Sequence, residues 1–327
     1  MTSKKNSSQQ EIVKTTCCSY DCGGRCLLKV YLSKGKIVRI GTDNRAGPGL
    51  KACPRGLAQG DVVNAPDRLT RPLKRVGERG SGRFEPISWK EALEKVSSEL
   101  KRVKERYGAH SIFLMDHYGC MSPLHGTLRT ARRFFNLFGG CTTYRGNTSM
   151  EAAHLTSLAT FGTAFTGNGP ENLQHSRLIL MWGWNPVVTR FGPDTVSYLA
   201  LAKKAGAKII CVDPRHSDSA EAFAEAWIPI KPGTDAALLI AMAYVMIDEN
   251  LYDHDFIETY TVGFQAFKNY VMGKEDNLPK TPSWAEGITG VPAGTTRKLA
   301  HDYAKIKPAA LWGSWAPGRT AFGEQYH

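Results

Sequence analysis

Hydrophobic and polar positions divide the 327-residue chain into stretches of different texture. Residues 12–50 read as short strands and turns. There Leu27–Leu32 and Lys36–Ile40 flank Ser33-Lys34-Gly35, which predicts two antiparallel strands joined by a tight turn. Residues 62–86, rich in Pro, Arg and Gly, predict an extended connector. At Ser88 the texture changes. Ser88 followed three positions later by Glu91 forms a capping box. Leu93, Val96, Leu100, Val103 and Tyr107 then recur at helical spacing until Gly108, so an amphipathic helix is expected, with Lys101–Arg106 on its solvated face. Beyond it, Ser111–Met115, Leu178–Trp182, Lys208–Val212 and Ala310–Trp312 are short apolar runs that read as buried strands. The helical pattern Asp194–Ala205, closed by Gly206, lies between the second and third runs. This is a β-α-β unit, which requires a parallel sheet with a right-handed crossover. From residue 88 onward the chain is therefore expected to be α/β. The apolar run Ala236–Ile247 is too short to span a bilayer and suits a buried helix.

Charge sharpens this division. Forty-two Lys+Arg against 30 Asp+Glu leave a net +12, but residues 1–150 hold 27 basic and 12 acidic residues, and residues 151–327 hold 15 and 18. All of the basic excess belongs to the front half. A hydrophobic content of 42% excludes a disordered chain, and eight Cys are too few for a disulfide scaffold of this size. The polar start, Met1–Gln10, has no apolar core of a secretory signal, and no twin-arginine pair precedes a hydrophobic run. On that reading the chain is cytoplasmic, and periplasmic only if a twin-arginine leader precedes it.

The cysteines cluster where the strands are short. Cys18-x3-Cys22-x3-Cys26 is followed after 26 residues by Cys53 and Pro54. Three thiolates from one loop and a fourth from afar suit a [4Fe–4S] cubane, whereas structural zinc favours two close pairs. Zinc and unligated thiols remain the alternatives, and Cys17-x4-Cys22 is a second possible register. Gly23 and Gly24 let the loop turn close to the sulfurs, and Arg55 puts a fixed cation beside them.

No G-x-G-x-x-G occurs, so a nicotinamide fingerprint is missing. Other strand ends carry polar turns. Leu178–Trp182 runs into Gly183-Trp184-Asn185-Pro186, and Lys208–Val212 into Asp213-Pro214-Arg215. Open α/β sheets bind ligands at such ends. Pro232-Gly233-Thr234-Asp235 precedes the apolar helix and offers free N–H groups to an anion, or simply caps the helix. The nine His show no metal-ligand spacing, and no G-x-S-x-G elbow supports nucleophilic hydrolysis.

Taken in order, these motifs resemble those of the molybdopterin oxidoreductases of the dimethyl sulfoxide reductase family. The carriers are the four-Cys motif with Cys53-Pro54-Arg55-Gly56; Asp67-Arg68-Leu69 through Pro72-Leu73-Lys74-Arg75-Val76-Gly77 to Ile87-Ser88-Trp89; Gly183 with Asn185-Pro186; Asp213-Pro214-Arg215; Trp227-Ile228-Pro229-Ile230 with Pro232-Gly233-Thr234-Asp235; and Trp315 with Pro317 and Arg319. The resemblance implies a small β-rich iron–sulfur domain over 15–72, after a polar tail 1–14. Doubly wound α/β molybdopterin-binding domains follow over 73–327, in a chain shorter than the family's catalytic subunits. It implies two cofactors, a [4Fe–4S] cluster on Cys18, Cys22, Cys26 and Cys53 and a molybdenum held by two molybdopterin guanine dinucleotides. Arg55 then stands between cluster and pterin in electron transfer. Gly183, Asn185, Asp213, Arg215, Gly233, Asp235, Trp315 and Arg319 fall in motifs that contact a dinucleotide.

The family's metal also takes a protein ligand. Aligned from Gly139-Gly140, Ser149 falls at the serine-ligand position, which fits oxygen-atom transfer from an S- or N-oxide; Asn147 is the other oxygen-bearing candidate. Asn147 and Thr148 depart from the Asp-Tyr pair expected there. Cys141 lies eight residues too early to serve a formate dehydrogenase. A reductase of thiosulfate or polysulfide, a formate dehydrogenase and, more remotely, a zinc- or cluster-bearing nucleic-acid binder are the competing readings. The resemblance further implies an iron–sulfur electron-transfer subunit and a membrane-anchor subunit as partners, with no nucleic acid.

Overall fold

In the computed structural model, which describes residues 11–20, 22, 26–116, 126–164, 166–189 and 194–327, the anticipated hairpin forms between β2 (Leu27–Ser33) and β3 (Lys36–Thr42). Lys34 and Gly35 both take positive φ, 49° and 77°, the two-residue turn whose twist matches the flanking strands. A preceding strand, β1 (Ile12–Cys17), completes an antiparallel sheet of order β1-β2-β3. Buried Asp43 closes the sheet's end. Its carboxylate accepts from the Arg45 guanidinium and main-chain N–H and from Thr15 Oγ1, and the Arg45 side chain, first of these, holds it well below the usual carboxylate range. The core here is thin: Cys18, Cys26 and Leu28, backed by Tyr20, Ile40 and Ala52.

Two short helices follow, α1 (Pro54–Leu57) and α2 (Gln59–Val63). The connector at 62–86 is less extended than its composition predicts. Leu73–Arg75 (β4) and Phe84–Pro86 (β5) pair antiparallel within it. The amphipathic helix is α3 (Trp89–Tyr107), started by Ser88 Oγ accepting from Glu91 N at 3.1 Å; the Glu91 carboxylate turns to Lys74 Nζ at 3.5 Å. The first half of its apolar stripe is exposed, Leu93 63% and Val96 56%, while Leu100 and Val103 are half-buried. Helix α4 (Thr127–Phe138) follows. The run Ser111–Met115 does not become a sheet strand. Among the described residues its one ladder contact is an isolated parallel bridge from Phe113 to Thr142, and Phe113 and Met115 are exposed. Apolar content alone does not make a strand when no neighbouring strand supplies the paired edge.

Residues up to Arg145 belong to one compact unit, and the described residues from Gly146 onward form a second. The second holds α5 (Glu151–Phe161), then β6 (Leu178–Trp182), α6 (Thr195–Lys204), β7 (Lys208–Val212), α7 (Asp218–Phe223) and β8 (Ala226–Ile228). Helices α8 (Asp235–Asp248), α9 (His254–Tyr260), α10 (Phe264–Val271), α11 (Pro282–Thr289) and α12 (Ala293–Lys305) lead to the last strand, β9 (Ala309–Gly313). The four strands pair in parallel in the order β8-β7-β6-β9, so the expected β-α-β unit is present. Alternation along the strands splits the core in two. Leu178, Leu180, Trp182, Ile210 and Val212 pack on Leu238, Met242 and Val245 of α8 and Leu299 of α12. Ile179, Met181, Ile209 and Cys211 pack on Leu199 and Ala202 of α6 and Phe223 of α7. With helices on both faces, the strands read as unbroken apolar runs. From β6 the chain winds outward to β7 and β8, then returns to β6's other side as β9. That reversal opens a crevice beyond the strands' carboxyl ends, the place where α/β sheets seat ligands.

Candidate functional site

The first unit gathers the four cysteines. Cys18 N donates to Cys26 O at 2.8 Å, which draws the two ends of the loop together; both residues are buried. Gly23 and Gly24, expected to turn this loop, lie outside the described residues. Cys53 is the N-cap of α1, with Pro54 in the first helical position. Burial raises the Cys26 thiol to about 11, and Cys18, Cys22 and Cys53 push it further in the same direction. Burial also raises Cys18, against a hydrogen bond from the Tyr20 main chain, and Arg55 pulls it back down. Cys17 is a half-buried strand residue paired with Leu27. Arg55 is exposed, its guanidinium 5.7 Å from the Tyr20 ring centre. Among the described residues no three His, Cys, Asp or Glu side chains close to single-ion distance. A cubane, which takes each thiolate on a different iron, asks for a wider spacing than one zinc ion does. Two buried thiols, Cys18 and Cys26, each within electrostatic reach of Cys22 and Cys53, match that donor chemistry.

In the second unit the crevice of about 460 Å³ lies beside Gly233, Asp235, Ala236, Pro317, Thr320 and Tyr326. Gly183 has φ 55°, and a Cβ there would stand 3.0 Å from Pro317 Cδ, so only glycine allows this approach at the end of β6. Gly233 (φ 77°) turns the chain against Thr320. Asp235 is buried in the first turn of α8 and accepts from Trp182 Nε1 at 2.8 Å. It thereby ties the helix start to β6, a contact between residues 53 apart that no spacing in the sequence signals. Asp213 Oδ1 accepts from Arg215 N at 2.9 Å, and its carbonyl accepts from Trp227 Nε1 at 2.8 Å. Arg215 is exposed and Trp315 half-buried. Asn185, expected at a dinucleotide, also has an internal role: Oδ1 accepts from Ser219 Oγ at 2.6 Å and Ser219 N at 3.2 Å, joining the β6 turn to α7.

Asp235 has a pH consequence. Burial pushes its carboxyl up, with the Trp182 N–H opposing. The folded state then holds this proton more tightly than the unfolded chain, so Asp235 favours folding fully below about pH 3.9 and loses that contribution as pH rises through its raised value. Asp235→Asn keeps an acceptor for Trp182 and cannot ionise. Its melting temperature, relative to the native chain, is expected to rise between about pH 4 and pH 7. A difference that stays flat over this range would show that the native carboxyl does not titrate there.

Ser149 and Arg319 come together in the same unit. Arg319 Nε donates to the Ser149 carbonyl at 3.1 Å. Asn147 Oδ1 accepts from Ser149 N at 2.9 Å and Met150 N at 3.0 Å, so Asn147 supplies the turn before α5 and Met150, not Ser149, is the N-cap. The Ser149 hydroxyl makes no hydrogen bond among the described residues. Its main chain is held at both ends by side chains of the same unit.

These sites can be set beside known proteins. The family profile "Molybdopterin oxidoreductase Fe4S4 domain" matches residues 10–65, and "Molybdopterin oxidoreductase" matches residues 68–323. The chain belongs to the molybdopterin oxidoreductase family, and its cofactors are the family's iron–sulfur cluster and molybdopterin. It is 37% identical to dimethyl sulfoxide reductase DmsA of Escherichia coli (strain K12), over 96% of this chain and 42% of that protein. It is 36% identical to DmsA of Haemophilus influenzae, over 99% of this chain and 43% of that protein. Acetylene hydratase from Pelobacter acetylenicus superposes with a TM-score of 0.67 at 27% identity, covering 96% of this chain and 42% of that one. The chain thus spans about two fifths of the length of these relatives. Among the described residues no helix is long and apolar enough to cross a membrane.

Proposed function

We propose that this chain is the cluster-bearing and dinucleotide-binding part of a molybdenum reductase of S- and N-oxides. The observation that carries the reading is Ser149: Asn147 and Arg319 hold its main chain while its hydroxyl makes no hydrogen bond among the described residues. Deprotonated, that hydroxyl is a hard oxygen ligand for molybdenum, as the dimethyl sulfoxide reductase likeness leads one to expect. Bound there, molybdenum would supply oxygen-atom-transfer chemistry, in which the oxide is reduced and water released as electrons and protons are delivered to the centre. The residues of this chain do the holding. Cys18, Cys22, Cys26 and Cys53 hold a [4Fe–4S] cluster, and Arg55 adds a cation on the electron path beside Cys18. One of two guanine dinucleotides takes the crevice beside Gly233 and Asp235, with Gly183, Asn185, Asp213, Arg215, Trp315 and Arg319 in the motifs expected to contact it. Electrons reach the cluster from an iron–sulfur partner subunit, itself linked to a membrane anchor.

The test is the whole protein expressed anaerobically, assayed for Mo, Fe and Zn, for the EPR of the reduced cluster, and for reduction of dimethyl sulfoxide and trimethylamine N-oxide against oxidation of formate. Molybdenum with about four iron and oxide reduction support the reading. Zinc in place of iron, no molybdenum, or formate turnover without oxide reduction overturns it.

A further inference from the structure

The Cys18 sulfur is approached by donors from both the main chain and a side chain. Cys18 is 4% exposed and receives the Tyr20 main-chain N–H. A side chain also reaches it. Gln59, the first residue of α2, places Nε2 3.6 Å from Cys18 Sγ and 3.5 Å from Ser19 Oγ. An amide carries two N–H donors on one nitrogen, so it can serve both acceptors at once. Facing a thiolate, the nitrogen end is attracted and the oxygen end repelled, which fixes the orientation of the amide. Gln59 lies six residues past Cys53, and α1 and α2 follow that cysteine directly. The segment that delivers the fourth thiolate therefore also delivers the amide.

We infer that Gln59 tunes the cluster, raising its reduction potential by donating an N–H to the Cys18 thiolate. This rests on the cluster assignment proposed above. When the cluster takes up one electron, part of the added negative charge resides on the cysteine sulfurs. A donor at one sulfur stabilises the reduced form more than the oxidised form, and hydrogen bonds to sulfur are among the factors that set such potentials. No atom is transferred; one electron from the titrant enters the cluster. Arg55 acts on the same sulfur through space as a full charge, so the two effects are separable by substitution. Gln59 is a positioning residue that touches a ligand, and its effect is read in a potential.

The experiment is an EPR-monitored redox titration, with dithionite as reductant, of the full chain loaded with iron and sulfide under anaerobic conditions. Native protein is compared with Gln59→Leu. Loss of one hydrogen bond to a charged acceptor should shift the one-electron equilibrium about tenfold toward the oxidised form, about 59 mV in midpoint potential, with iron content unchanged. Ser19→Ala, which keeps the donor, should leave the potential in place. A Gln59→Leu chain with full iron and the native potential overturns the inference. Should that variant lose its iron, native protein labelled with nitrogen-15 at the glutamine side-chain amide decides. Pulsed EPR of its reduced cluster shows a coupling to that nitrogen if Gln59 is the donor, and none if it is not. A native chain that binds no iron overturns the cluster reading itself, whereas bound iron with an unmoved potential overturns Gln59 alone.

Discussion

Cys26→Ser is expected to empty the iron–sulfur site, taking iron from about four per chain to near zero and abolishing the EPR signal of the reduced cluster. Cys26 is 3% exposed, and its main-chain carbonyl holds Cys18. A serine leaves a hard, weakly acidic oxygen where a soft thiolate is needed. The consequence reaches the fold, because among the described residues the buried apolar cluster beneath the first sheet is Cys18, Cys26 and Leu28. A domain with so little apolar burial draws much of its folding free energy from its metal centre. Limited proteolysis should therefore cut the substituted protein first within residues 11–65, while the sheet of β6, β7, β8 and β9 stays protected. Cys17→Ser is the matched control and should retain full iron. Equal loss in both variants would return the first ligand to the Cys17 register.

The second large effect is at Ser149. In the whole protein, Ser149→Ala should lower oxide reduction by about 100-fold or more, since losing residues that merely support metal ligands already costs 10–100-fold. The stability of the second unit should not fall with it. The Ser149 hydroxyl makes no hydrogen bond among the described residues, and the contacts that hold the segment, Asn147 Oδ1 to two main-chain N–H groups and Arg319 to the Ser149 carbonyl, use no atom that alanine lacks. Activity lost with an unchanged melting curve is the signature of a ligand. Cys141→Ser should leave oxide reduction unaltered. Full activity in Ser149→Ala would remove the assignment and direct attention to Asn147.

Local features were legible in the sequence wherever one short segment contained the whole cause. Lys34-Gly35 between two apolar runs specifies the hairpin turn, and Ser88 starts α3 by the bond expected of it. The runs at Leu178–Trp182 and Lys208–Val212 became central strands because both faces of the sheet are covered. The run Ser111–Met115 looks similar and did not, because a strand is defined by its neighbour and the only pairing there among the described residues is the Phe113–Thr142 bridge. The stripe on α3 was read correctly as helical, yet its spacing says nothing about what covers it, and Leu93 and Val96 stand exposed.

The amino-acid sequence by itself determined the family, the cysteine set at thiolate spacing, and the glycines and Asx residues at strand ends, since each is a property of residues close together in the chain. Tertiary structure alone decided the strand order β8-β7-β6-β9 and with it the crevice beside β6. It also decided that Trp182 meets Asp235, that Pro317 closes on Gly183, that Arg319 holds Ser149, and that Gln59 reaches Cys18. Those contacts join residues from 41 to 170 positions apart. Over such separations partner choice is made by the packing of whole elements, and local pattern carries no record of it.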